Sequence, residues 1–157
     1  MNKQELKAYA ERFKQEKYNL DGAIIKLSQD EELKNLPNST NRVAWEGVPW
    51  INYWRALTGN YSNGVTCACC GKLVYADLEN PQWRDSIIKR KENENASSVD
   101  EYQAEGGHVV YSSEDEHLDG VYIVPLCRTC NHHTNQSVNI RQGSVLCPEV
   151  GQTVTEE

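Results

Sequence analysis

Val121-Tyr-Ile-Val-Pro-Leu-Cys-Arg-Thr-Cys-Asn131 carries a β-prone run straight into a Cys-x-x-Cys pair, and it answers an earlier pair, Cys67-Ala-Cys-Cys70 followed by Gly71-Lys72. Two-residue spacing lets both thiolates of a pair reach one ion from a tight turn. Two such pairs complete the tetrahedral S4 shell that structural zinc prefers. The sequence therefore predicts zinc held by Cys67, Cys70, Cys127 and Cys130. Four protein ligands leave no position open for water, so this metal is expected to be architectural. A redox-active CxxC disulfide would sit in a βαβ unit, and no such pattern surrounds either pair. Cys69 could stand in for a neighbour as ligand, although Gly71-Lys72 suits a knuckle closing at Cys70. Otherwise Cys69 and Cys147 read as small buried residues.

Gly107-His-Val-Val-Tyr111 and Val121–Leu126 are β-prone runs separated by the acidic stretch Ser112–Gly120, the pattern of an antiparallel hairpin. Its second strand delivers Cys127 and Cys130 to the start of a short helix expected to run to about Asn135. One ion would then pin knuckle, hairpin and helix together. Lys72–Ala76 has the character of a short strand. Ser137–Ile140 and Ser144–Cys147 are expected to extend the sheet, and Gly151–Glu157 to fray.

Residues 1–41 read as a helical extension. Leu6, Tyr9, Ala10 and Phe13 recur at helix spacing, and a second apolar stripe, Ile24, Ile25, Leu27, Leu33 and Leu36, is read as helical, with room for a break near Ser28–Asp30, and stops before a hinge at Pro37–Asn41. Self-packing of this extension is favoured over a partner, because a zinc hairpin alone is a small core. Between Trp45 and Thr58, Trp50, Tyr53, Trp54 and Leu57 share one helical face and are assigned to the core. Base stacking is the alternative, with Arg55 the one cation of the segment. An insertion near 80–103 contains a short helix, Trp83–Lys91, and a polar loop, Glu92–Glu101. Its Arg84, Lys89, Arg90 and Lys91 form the one dense positive cluster, read as a solvated helix end or as a phosphate contact.

The chain has 16 basic and 23 acidic residues, a net of -7, and the excess is uneven: residues 1–66 carry +1 and residues 67–157 carry -8. That balance opposes nonspecific phosphate binding, which depends on clustered cations displacing counterions. There is no secretion signal or bilayer-spanning run, so no membrane association is expected, and reduced thiols for zinc point to the cytoplasm.

The order CxxCG, a glycine-led His108-Val, then Ile-Val-Pro-Leu-Cys-x-x-Cys-Asn131 resembles the zinc-stapled branch of the HNH, or His-Me finger, endonucleases. It resembles more closely small bacterial proteins with a Trp-rich Thr-Gly helix, a Gly-Ala-His-Val element and a Tyr-Ile-Val-Pro-Leu-Cys-x-x-Cys-Asn ending. The likeness covers roughly residues 45–147. It implies a metal-dependent nuclease in which His108 is the general base and Asn131 helps to hold a catalytic Mg or Mn ion near a phosphodiester. His132 and His133 could replace Asn131, and Asp119 stands loosely for the family's middle Asn. The chain departs from the pattern in two places. Gly107 occupies the position of an acidic metal ligand, with Glu105 the nearest carboxylate, and Thr134-Asn135 replace an expected lysine.

Three readings of His108 stay open: general base, zinc ligand in place of a cysteine, and buried histidine bridging the hairpin to the following helix. The expected fold is α+β, a helical segment (1–41) joined to a treble-clef ββα zinc core (42–150) with a frayed tail (151–157). Beside a sequence-selective nucleic-acid binder that would use the Lys89–Lys91 helix, two functions compete. One is an HNH-type nuclease acting on nucleic acid. The other is an inactive, acidic zinc-finger adaptor or inhibitor that binds a protein with a basic surface, such as a nucleic-acid-binding defence protein met by a phage or mobile element.

Overall fold

The computed structural model describes residues 1–36, 42–110, 120–132, 137–150 and 153–154. Helix α1 (Lys3–Glu16) opens with a capping box, in which the Asn2 side chain accepts from the Glu5 N–H and the Glu5 carboxylate accepts from the Asn2 N–H, both at 2.8 Å. It buries Leu6, Tyr9 and Phe13, the face its spacing predicts, and it packs on α2 (Trp50–Thr58).

The stripe Ile24–Leu36 is not helical. It forms two strands, β1 (Ile25–Lys26) and β2 (Glu31–Asn35). Within β2, Leu33 and Asn35 are buried while Glu32 and Lys34 are exposed, a period of two that five residues show too briefly to separate from a helical stripe. Both strands join the main sheet. The described part of the expected helical extension, residues 1–36, thus supplies one helix and two strands of the sheet.

The remaining strands are β3 (Arg42–Val43), β4 (Gly64–Thr66), β5 (Leu73–Tyr75), β6 (Ala104–Val110), β7 (Tyr122–Cys127), β8 (Ser137–Ile140), β9 (Val145–Pro148) and β10 (Thr153–Val154). Helices α3 (Arg84–Glu94) and α4 (Arg128–Asn131) complete the set among the described residues. The architecture is α+β around a six-stranded sheet in the order β1-β9-β7-β6-β2-β8, antiparallel in every pair. β1 and β2 stand four places apart, as do β9 and β8, yet four residues join each pair. A flat sheet would hold such strands ~19 Å apart. The β8–β9 link instead turns back on itself, with the Ser144 N–H donating to the Arg141 carbonyl at 3.1 Å, so the sheet curls.

Register sorts the two faces. Leu33, Val138, Ile140, Val109, Val124, Leu126 and Leu146 share one face, all buried. Ala104, His108, Ile123 and Cys147 share the other, against which α2 packs. Tyr53 donates its hydroxyl to the Pro148 carbonyl, and Trp54 Nε1 donates to the Val145 carbonyl at 2.8 Å, fixing α2 across β9. Phe13 meets Tyr53 and Trp45 edge-on at 5.7 and 5.8 Å, so α1 covers α2 through aromatic contacts. Burial pushes the Tyr9 and Tyr53 phenols up, and both instead act as hydrogen-bond donors to main-chain carbonyls.

Three further expectations change. The tail is not wholly frayed, because Thr153–Val154 pair with Val43 and Arg42. Residues 92–101, expected as a loop, finish α3 at Glu94 and form a 3-10 turn, Val99–Tyr102, capped by Ser98. Arg55 is buried, donating to the Ser62 and Tyr61 carbonyls and to Asn52 Oδ1, and is therefore not presented to a nucleic-acid strand. The Pro37–Asn41 hinge lies outside the described residues. No described helix is long and apolar enough to cross a membrane.

Candidate metal centre and the hairpin histidine

The turn after β4 brings Cys67 and Cys70 beside the end of β7. The Ala68 N–H donates to the Pro125 carbonyl at 2.8 Å, so the knuckle continues the edge of the hairpin. Within it the Gly71 N–H closes on the Cys67 carbonyl at 2.9 Å and the Cys67 N–H on the Lys72 carbonyl at 2.8 Å. β7 then passes directly into α4, and Cys127, at its N-cap, accepts from the Cys130 N–H through sulfur.

The Sγ atoms of Cys67, Cys70, Cys127 and Cys130 all lie within 4.8 Å of one another, close enough to hold a metal ion such as zinc. Cys70 and Cys127 are 3.8 Å apart. A zinc–thiolate bond of ~2.3 Å in a tetrahedron gives a sulfur–sulfur edge of ~3.8 Å, so the donor set fits. Burial raises the Cys67 thiol, but the backbone N–H groups of Cys70, Cys127 and Cys69 outweigh it and leave Cys67 below the usual thiol range. Donors gathered on one sulfur are what a thiolate ligand needs. Cys69 is half-buried and stands outside this set, while Cys147 is fully buried and pushed up to about 12 by burial.

Around the hairpin, the expected pair His108 and Asn131 is not brought together. A Cβ at Gly107 would overlap Leu126 Cδ1 and come 3.0 Å from Asn131 Oδ1, so that face of β6 looks at α4. His108 is the next residue and turns to the opposite face. There its ring meets Trp50 edge-on at 4.9 Å, and Nε2 lies 3.1 Å from Glu149 Oε2. Both side chains are enclosed, at 7% and 1% exposure. His108 is thus a buried residue, but it bridges the hairpin to α2 and the chain after β9, not to α4. Glu149 had no sequence signal: a lone carboxylate after a strand reads as surface until the register carries it across the sheet.

Glu105 takes the place facing α4. Its Oε1 accepts from Asn131 Nδ2 at 2.8 Å and lies 2.9 Å from His132 Nε2, while Arg128 Nε stands 3.7 Å from Oε2. Asn35 Nδ2 donates to the Asn131 carbonyl at 2.6 Å, tying β2 to the same turn. His133 and Asp119 lie outside the described residues.

The two arginines of the positive cluster on α3 are engaged within the chain. Arg90 donates to the Leu73 carbonyl at 2.7 Å, pairs with Glu94 and stacks over Tyr102 at 4.3 Å; Arg84 donates to the Leu78 carbonyl. Two clefts lie elsewhere. One of about 580 Å³ runs between the end of α2, the knuckle and residues 141–145, and one of about 810 Å³ lies beside Asp30 and Gln142. Neither includes His108 or Asn131. No protein-family model, curated protein or solved structure matches the chain.

Proposed function

We propose that this chain is a zinc-stapled, HNH-like ββα module of treble-clef form that works by binding and not by hydrolysis. Its partner is a protein with a basic surface. The observation that carries this reading is the enclosure of His108 against Glu149 and Trp50, on the sheet face away from α4. A general base must reach both an attacking water and the scissile phosphate. An imidazole at 7% exposure, held on a buried carboxylate, reaches neither. The net charge of -8 over residues 67–157 repels a polyanion and attracts a basic protein surface.

The test has two arms. Purified zinc-loaded protein is incubated with plasmid, single-stranded DNA and RNA in Mg and in Mn. No cleavage above buffer is expected, and cleavage lost in His108→Ala would overturn the reading. In parallel, the protein is titrated onto a basic test protein such as lysozyme, with Glu114, Asp115 and Glu116 reversed to lysine as control. Binding weakened by the reversal and by salt supports the reading, and no binding by the wild type contradicts it.

A second reading is favoured by one observation, the convergence of Glu105, Asn131 and His132 within 2.9 Å on the α4 side. These groups would hold a Mg or Mn ion in a nuclease whose base is not His108. Mn-dependent cleavage abolished by Glu105→Gln but retained by His108→Ala would select it.

A further inference from the structure

We propose that Arg141 is the electrostatic counter-group of the cysteine centre, holding the charge of the loaded knuckle through space and setting how tightly the metal is retained. The inference rests on the zinc reading above. Four thiolates around one divalent ion leave a net charge of -2, and a site so charged at the edge of an acidic chain is stabilised by a cation nearby.

The cation is found at Gly71, the residue after Cys70. Gly71 has φ of +81°, and a Cβ built there would overlap Arg141 Nη1 and lie 3.1 Å from Cζ. The guanidinium thus occupies the space that any side chain at 71 would take. Its backbone is fixed on the same knuckle, since the Arg141 N–H donates to the Ala68 carbonyl at 2.9 Å. Among the described residues, Arg141 has no carboxylate partner, whereas Arg12, Arg84, Arg90 and Arg128 each have one. The neighbouring cation does not compete for this role, because Lys72 Nζ lies over the Tyr102 ring at 5.2 Å. Gly71 therefore has two reasons to be glycine: a left-handed turn that closes the knuckle, and room for a guanidinium beside it.

The experiment follows zinc transfer from the full-length protein to the chromogenic chelator 4-(2-pyridylazo)resorcinol, for wild type, Arg141→Gln, Arg141→Lys and, as a remote charge control, Lys17→Gln. The expected result is one zinc per wild-type chain, with an affinity loss of about tenfold or more in Arg141→Gln. Arg141→Lys is expected to recover most of it, and Lys17→Gln to match the wild type. The gap between wild type and Arg141→Gln should narrow as NaCl is raised, because the interaction is screened. A purely packing role would make Arg141→Lys as poor as Arg141→Gln and leave the wild type insensitive to salt. Either result overturns the proposal, as does equal affinity in Arg141→Gln and wild type. If Arg141→Gln does not fold, the salt dependence of the wild type and the behaviour of Arg141→Lys decide alone. A wild type that holds no zinc overturns the metal reading itself, an outcome distinct from a zinc-loaded protein indifferent to Arg141.

Discussion

A methyl group added at Gly106 would sit 2.6 Å from Trp50 Cβ and 2.8 Å from the Ile51 nitrogen. The start of α2 lies directly on the β6 backbone there, and a rigid helix end cannot give way as a flexible side chain could. Gly106→Ala is therefore expected to cost about 2–3 kcal/mol, read as a lower midpoint in urea with an unchanged slope. His108 is likewise part of the packed interior. With its ring against Trp50 and its Nε2 3.1 Å from an enclosed Glu149, removal by His108→Ala leaves a carboxylate buried without its imidazole. A loss of about 3 kcal/mol is expected. An alanine variant as stable as the wild type would mean that His108 is solvent-reachable and not part of the core.

Among the elements, the insertion packs back on β5 and Leu78, so that Ile87 and Tyr102 form a small second core with Tyr75 and Leu78. It is held at one corner by Glu94, which accepts from the Tyr102 hydroxyl at 2.7 Å and from Arg90 Nε at 3.1 Å. The hydrogen bond from Tyr102, with that from Arg90, holds the Glu94 carboxyl below the usual carboxylate range. Burial and the same bond push Tyr102 up to about 12. For a carboxyl lowered by folding, the stabilisation is present above its unfolded pKa and is lost as pH falls through the folded value. Glu94→Gln should thus melt below the wild type at pH 7, and the two melting temperatures should converge as the pH is taken below about 4. A gap that persists in acid would show that the carboxylate charge is not what holds the corner.

Elements also show what was legible in the chain. Leu6, Tyr9 and Phe13, the hairpin, and the Trp50–Thr58 helix follow from spacing, since each is long enough for its period to repeat. β1 and β2 do not, because two and five residues of mixed apolar character fit both periods and the pairing that decides between them is non-local. The same limit hid the direction of His108. Which face of a strand looks at the following helix depends on register, and the Gly106-Gly107 pair, read as a lead-in to a catalytic histidine, instead marks close approach to α2 on one face and to Leu126 and Asn131 on the other. The Cys-x-x-Cys pairs, by contrast, carry their own geometry, and the four sulfurs gather as the spacing requires.

For the whole molecule, the cysteine cluster is where segments 57 residues apart meet, Cys70 against Cys127. It joins the knuckle to the strand end that also positions α4, Glu105 and Asn131. Metal binding at such a site is coupled to folding, so stripping the ion with a strong chelator should lower the melting temperature and loosen protection of the Ala68 and Arg141 amides before those of Ile123 and Val124 in the sheet centre. The most direct measurement is the zinc K-edge X-ray absorption spectrum of the reduced, full-length protein, with the metal-to-protein ratio determined on the same sample. One zinc per chain is expected, with four sulfur neighbours at about 2.3 Å and no nitrogen or oxygen bound to it. A shell containing a light-atom ligand near 2.0 Å, or a reduced protein that retains no zinc, would contradict it.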